Sequence, residues 1–259
     1  MSSAIFQASR FLIHWLREVD EHSLHSPFTY SFHKKIIQRD RHEPEFIAIE
    51  EIRKKLQLDE RTIEVTDLGA GSRVNKGSQK KVKRIAEYEI SKPRFSRLWY
   101  RVARSNKSKN ILEIGTSLGI NTLYLSQAIE NGKLITIEGC PSTAAIAQEN
   151  FDKLQHCPIE LLIGDAAQKI AGITESLDLA YIDANHTYQG TTKYFELLLP
   201  KIHSDSIMIF DDIHWSDGME KAWNEVRKHP SVRLSLDLFS AGILFFKEGL
   251  PREHFRIQY

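Results

Sequence analysis

From Lys109 onward the chain alternates short apolar runs with segments long enough to form helices. The runs read NILEIG, KLITIE, IELLIG, LDLAYID and SIMIFDD, followed by VRLSLDLF and AGILFFK. Such alternation is the sequence sign of βαβ units, because parallel neighbours need a long crossover to return the chain to the same end of a sheet. The last two runs are linked only through Ser240, Ala241 and Gly242. So short a link permits a hairpin and excludes a parallel crossover. The expected fold is α/β, with five parallel strands, a terminal pair, and an antiparallel last strand in a seven-stranded, mostly parallel sheet.

The first 105 residues have a different texture. They are rich in Lys, Arg, Glu and His and carry helical apolar spacing, with strand signal only at 62–68. Phe11, Trp15 and Val19 recur every four residues, which predicts one shared helix face. Ser26 before Pro27 disfavours the α region and interrupts that pattern. Further helices are expected at 29–39, 44–57, 80–89 and 94–105. The polar stretch Arg104 to Lys109 is the best boundary, giving a mostly helical N-terminal extension or lid at 1–105 and a ligand-binding domain at 106–259.

Bulk composition excludes several classes. The 259 residues are 41% hydrophobic and 27% charged, with a net charge of +1, so no global field draws the chain to nucleic acid or to an anionic membrane. The basic stretch Lys76 to Arg84 has no interleaved aromatics and reads as a solvated helix face. The apolar runs are strand-sized, well short of a spanning helix. Charges interrupt the apolar N-terminus, which reads as an amphipathic helix and not as a signal peptide. Two cysteines, Cys140 and Cys157, make no disulfide framework, and a reduced cytoplasmic setting is the simplest expectation.

Two glycine turns follow strand-like runs: Gly69-Ala70-Gly71 and Gly115-Thr116-Ser117-Leu118-Gly119. A turn that holds a nucleotide follows a strand and opens a helix, so that glycines admit the ligand and helix amides face it. Only the second turn meets this condition. Residues 121–129 have helical spacing, and the next strand ends in Glu138, an acid about 20 residues beyond the glycines and suited to a ribose diol. The first turn is followed by the basic run SRVNKGSQKKVKR, with no second strand and terminal acid, and reads as a packed turn.

The form Glu113-x-Gly115-x-x-x-Gly119 is not a dinucleotide fingerprint. LEIGTSLGINTLYLS resembles motif I of class I S-adenosylmethionine-dependent methyltransferases, and of their small-molecule O-methyltransferases most of all. The resemblance spans about 109–247 and implies a Rossmann-like sheet with a reversed last strand. It implies that Glu113 and Gly115 lie beside the methionine part of the cofactor, that Glu138 binds the ribose, and that Asp165 contacts the adenine amine. Thr116, Ser117, Gly119, Gly164 and Ala166 complete the implied cofactor set, with Asp183 at its edge. The segment 89–104 is similar to the helix that precedes motif I in that family.

YIDANHTYQG and IFDDIHWSDG end the fourth and fifth strands. In an open parallel sheet such ends face the ligand crevice. Asp183, Asp211 and Asp212 would repel one another there unless neutralised, and a hard divalent cation such as Mg²⁺ suits oxygen donors of this kind. A cation on an acceptor hydroxyl would lower its pKa, and His186, an imidazole able to take up a proton, is the candidate base, with Asp183 beside it. Asp183-x-x-His186 with Asp211-Asp212 resembles the metal-dependent sugar and catechol-type O-methyltransferases. The second Asp departs from the catechol type, which has Asn there. His203 and His214 are expected to be structural or surface residues and Tyr181 core, while Trp215 and Tyr188 could line an acceptor pocket, although an aromatic near a strand end is more often packing.

The expected activity is Mg²⁺-assisted methyl transfer from S-adenosylmethionine to a small hydroxylated acceptor, with no nucleic-acid or membrane partner and a homodimer left open. His25, Phe28, Arg73, Arg94 and Arg97 are possible acceptor contacts from the N-terminal half. Metal-independent N-methylation, or a non-catalytic binding protein on the same fold, remain as alternatives.

Overall fold

The computed structural model describes residues 3–19, 24, 26–39, 43–66, 78–154 and 158–259. The turn at Gly69 to Gly71, together with His25, Arg73 and Cys157, lies outside the described residues, as does the start of the basic stretch at Lys76. The chain packs as two compact units, Asp40–Thr174 and Met1–Arg39 with Glu175–Tyr259. By packing, the N-terminal helices are therefore shared between the two units, whereas the boundary at 105 is one of sequence texture. Among the described residues, the strands form a mostly parallel α/β sheet of eight members, plus a two-stranded ribbon.

In order, the chain forms α1 (Ser3–Arg17), α2 (Pro27–Phe32) with a π turn at His33–Ile37, α3 (Phe46–Gln57), β1 (Thr62–Val65), β2 (Ser78–Lys81), α4 (Val82–Tyr88) and α5 (Pro93–Ser105). The alternating part follows as β3 (Asn110–Ile114), α6 (Ile120–Gln127), β4 (Lys133–Glu138), α7 (Pro141–Phe151), β5 (Ile159–Ile163), α8 (Ala166–Gly172), β6 (Leu177–Ile182), α9 (Tyr188–Leu198), β7 (Ile202–Asp211) and α10 (Asp217–Val226). The chain closes with β8 (Leu234–Asp237), β9 (Ala241–Phe245) and β10 (Glu253–Arg256).

In the unit 40–174, β3 and β5 flank β4 in parallel register, Ile111 opposite Leu134 and Ile135 opposite Glu160. The apolar residues of β3 and β4 are buried, as are Leu98, Trp99 and Val102 of α5 and Leu123 and Leu125 of α6. Burial on both faces is why β3 and β4 read as continuous apolar runs. The ribbon of β1 and β2 is antiparallel. SQKK carries no apolar pattern, so the chain is a strand at Lys80 and Lys81, where helical spacing had suggested a helix starting at 80. Its pairing with TIEV decides the conformation, and the helix begins at Val82.

In the other unit, β6 pairs with β7 in parallel, and β9 lies antiparallel between β7 and β8. The reversed strand is thus as expected. An eighth strand, β10, adds in parallel to β8, with Phe255 opposite Leu236. EHFR has no alternation to announce it. Gly242 in β9 lets α10 approach, since a Cβ there would stand 2.4 Å from the Trp223 ring. The Phe11–Trp15–Val19 face is not the buried one. Phe11 and Trp15 are 55% and 53% exposed, Val19 falls beyond α1, and His14 is the side chain turned inward.

Candidate active site

Glu113 lies inside β3 directly opposite Thr136 of β4. Its carboxylate is wholly buried and accepts hydrogen bonds from Asn121 Nδ2 (3.0 Å), Thr136 Oγ1 (2.7 Å) and the Thr122 hydroxyl. Burial pushes its pKa up to about 7, against the pull of those donors. Asn121 and Thr122 belong to the first turn of α6, so Glu113 ties the strand to the helix across the glycine loop. Both of its oxygens are already engaged. Thr116 is buried as well, its hydroxyl 2.6 Å from that of Thr136.

The loop between them is held open by left-handed residues. Gly115, Ser117 and Gly119 have φ of 97°, 50° and 80°. A Cβ at Gly119 would lie 2.5 Å from the Phe151 ring, so the residue needs both the conformation and the space. Ser117 is a serine in a region that disfavours side chains, and Glu138 from the end of β4 holds it there. Oε2 of Glu138 accepts from the Ser117 amide at 2.8 Å, and Oε1 accepts from the Cys140 amide at 2.9 Å. Burial raises the Glu138 pKa, opposed by these amides. The Gly139 amide also donates to this carboxylate, which leaves acceptor capacity for one further hydroxyl. At the end of β5, Gly164 is left-handed (φ 134°) and donates its amide to the Glu138 carbonyl. Asp165 caps α8, accepting from the Gln168 amide at 2.9 Å, and Ala166 opens that helix. One unit therefore gathers Glu113, Gly115, Thr116, Ser117, Gly119, Glu138, Gly164, Asp165 and Ala166 at the carboxyl ends of three adjacent strands.

The other unit gathers the acids. Asp183 directly follows β6 and Asp211 ends β7, in a register that pairs Ile182 with Phe210, so the two carboxylates emerge side by side. Tyr181 bridges them, its hydroxyl donating to Asp211 Oδ2 at 2.7 Å and lying 3.4 Å from Asp183 Oδ2. Burial, then the charges of Asp183 and Asp212, hold the Asp211 carboxyl well above the ordinary carboxylate range. Asp212 is also raised by burial, with His186 pulling the other way. Asp212 is left-handed (φ 53°), and its amide donates to the Ser240 carbonyl at 2.7 Å. His186 Nε2 stands 3.5 Å from Asp183 Oδ1.

Thr187, and not Asp183, caps α9. The donor set is hard and anionic, which suits a divalent cation. Among the described residues, no three His, Cys, Asp or Glu side chains are gathered around one point as a bound ion would require.

Sequence reading missed the hydroxyl of Tyr181 and the donors around Glu113. Tyr181 is core, as expected, yet its tip serves the acids. Period-two alternation, which puts residues 181 and 183 on one face, was the available signal. Thr136, a polar residue within an apolar strand, was another. His214 is buried against Asp237 and His203 pairs with Asp178, both structural roles. Trp215 is exposed, and the Tyr188 hydroxyl donates to Glu225.

The fold and these loops are similar to those of class I methyltransferases. Residues 112–213 match the family described as a methyltransferase domain, a stretch that includes both the glycine loop and the acid-bearing strand ends. A catechol O-methyltransferase of Niastella koreensis is 30% identical over 138 residues, covering 51% of this chain and 60% of that protein. A transmembrane O-methyltransferase of Propithecus coquereli is 34% identical over 79 residues, 28% of each chain. The chain thus spans less than two thirds of either curated relative. Among solved structures, a Podospora anserina methyltransferase with bound S-adenosylhomocysteine superposes with a TM-score of 0.63 at 16% identity, covering 87% of this chain and 97% of that one. A Bacillus cereus O-methyltransferase in complex with the same compound gives 0.57 at 18% identity, covering 83% and 94%. At those identities the superpositions speak for the fold. No helix among the described residues is long and apolar enough to cross a membrane.

Proposed function

We propose that this chain is an S-adenosylmethionine-dependent methyltransferase that methylates a hydroxyl of a small molecule with the help of a divalent cation such as Mg²⁺. The observation that carries the reading is the left-handed loop 115–119 pinned by Glu138, an acid at the end of the neighbouring strand. Relatives named as O-methyltransferases, and solved folds with S-adenosylhomocysteine bound, support it. In this reading Gly115, Thr116, Ser117 and Gly119 offer backbone to the methionine end. Glu138 takes the ribose hydroxyls, and Gly164, Asp165 and Ala166 meet the adenine. Glu113 serves by holding the loop, since its oxygens are already engaged.

Asp183, Asp211 and Asp212 would hold the cation, once drawn around it, and the basis for assigning it to them is that the register of β6 and β7 brings Asp183 and Asp211 out side by side, with Asp212 next in the chain. When bound, the cation supplies a lowered pKa at the acceptor hydroxyl. Asp183 beside His186 Nε2 favours the tautomer protonated there and leaves Nδ1 to receive the acceptor proton. S-adenosylmethionine, when bound, would supply the methyl group, its C–S bond breaking with the electron pair returning to sulfur as a C–O bond forms to the acceptor. Such a transfer is governed by positioning and charge more than by covalent help.

Isothermal titration with S-adenosylmethionine and S-adenosylhomocysteine, with and without Mg²⁺, tests the reading. Micromolar binding to the native chain is expected, weakened tenfold or more in Glu138→Ala. No binding of either compound under either condition overturns the proposal.

A further inference from the structure

The N-terminal helix reaches the acid-bearing loop through one buried side chain. His14 Nε2 lies 3.1 Å from the Asp237 carbonyl oxygen and 3.2 Å from its Oδ1. Asp237 is 1% exposed and is shared, because His214 Nε2 stands 3.0 Å from its Oδ2 and Arg256 Nε 3.8 Å away. A carboxylate so buried is tolerable only with cationic or N–H partners around it. Burial alone would raise the Asp237 pKa, but His14 and His214 outweigh it and hold the group ionised. The same carboxylate accepts the Phe239 amide at 3.0 Å and so fixes a left-handed turn, with Phe239 at φ 66°. His214 stacks on the Phe239 ring, and Phe11 and His14 of α1 meet that ring edge-on. The next residue, Ser240, offers the carbonyl that holds the Asp212 amide. Two further contacts tie α1 to the same stretch, Gln7 to the Trp215 carbonyl and Arg10 to Glu220.

We infer that His14 is a positioning residue for Asp212. It seats Asp237, Asp237 sets the Phe239–Ser240 turn, and the Ser240 carbonyl keeps Asp212 in its left-handed conformation. The N-terminal helix is then a brace for the acids and not only a cover. The chemical meaning of the brace rests on the proposed role of Asp212, but its existence does not.

Amide hydrogen exchange separates the two. In His14→Ala, exchange at Asp212 and Phe239 is expected to rise tenfold or more, while affinity for S-adenosylmethionine changes less than twofold. His14→Gln, which returns an N–H near the place of Nε2, restores protection, and Phe11→Ala, which removes packing alone, leaves it within threefold. Should His14→Ala fail to fold, His14→Asn replaces it, because its shorter amide falls short of Asp237. Unchanged exchange at Asp212 in the Ala or Asn variant overturns the inference, and so does loss of protection that Gln fails to restore. Mn²⁺ titration followed by electron paramagnetic resonance runs alongside. Native Mn²⁺ affinity that falls tenfold in His14→Ala supports the link to the acids. A native chain that binds no Mn²⁺ removes the cation from the functional reading, and the exchange data still decide whether the brace exists.

Discussion

Gly119→Ala is the substitution whose penalty can be worked most directly from the structure. The residue sits at φ 80°, where an L side chain carries a penalty of roughly 1–2 kcal/mol. Its new Cβ would lie 2.5 Å from Phe151 Cε1, 2.9 Å from Cζ and 3.2 Å from the Ala147 Cβ. Overpacking of this kind typically adds about 1–3 kcal/mol. The two effects together predict a loss of roughly 2–5 kcal/mol, or a fall in Tm on the order of 5–15 °C. They also separate experimentally. Phe151→Leu withdraws the ring atoms that collide and on its own costs about 1–2 kcal/mol. In the double variant the overlap vanishes and the backbone strain persists. A cycle of urea titrations on the four proteins should therefore show a favourable coupling of about 1–3 kcal/mol between the two changes. If the losses simply add to within about 0.5 kcal/mol, the ring does not define the space at Gly119, and the account of this loop is wrong.

Two further outcomes follow from the buried acids. Glu113 has a folded pKa of about 7 against a reference of 4.5, so the folded chain binds the extra proton between those values and loses stability as pH rises through them. At about 1.4 kcal/mol per pH unit the loss is about 3 kcal/mol, and urea midpoints should fall between about pH 4.5 and 7 in the native chain and flatten in Glu113→Gln. Parallel slopes in the two proteins would remove Glu113 as the cause. Tyr181→Phe deletes the hydroxyl that lowers the Asp211 pKa, so the acid limb of Mn²⁺ binding should move to higher pH, and an unmoved limb would mean that Tyr181 does not govern the acids.

The parts of the fold legible in the sequence are those where one physical signal dominates. Strands β3, β4, β6 and residues 206–210 of β7 are buried on both sides or nearly so, and a buried strand has no choice but to be apolar. The hairpin of β8 and β9 is dictated by the length of its link. Where pairing and not side-chain pattern makes the strand, the sequence is silent. SQKK becomes β2 because TIEV offers it an edge, and EHFR becomes β10 because β8 does. The helix α1 misleads for a related reason. Its apolar spacing is genuine, yet Phe11 and Trp15 stay more than half exposed, because the anchor that seats the helix is the polar pair of His14 and Asp237. Apolar periodicity cannot register a contact made by an imidazole and a carboxylate 223 residues apart.

The candidate site divides along the same line. Glu138, Asp183 and Asp211 stand at strand ends, so locating the strands located them. Their interactions were not legible, because each depends on register. Thr136 meets Glu113 only because β3 and β4 pair at that step, and Tyr181 reaches Asp211 only because β6 and β7 do. The consequence for Glu113 is specific. Read as a lone acid beside glycines, it looks like a contact for a cationic ligand. Surrounded by Asn121, Thr122 and Thr136, it is a buried fastening between a strand and the helix that the loop opens. An acid in that position can matter to a ligand without touching it, by fixing the amides that do.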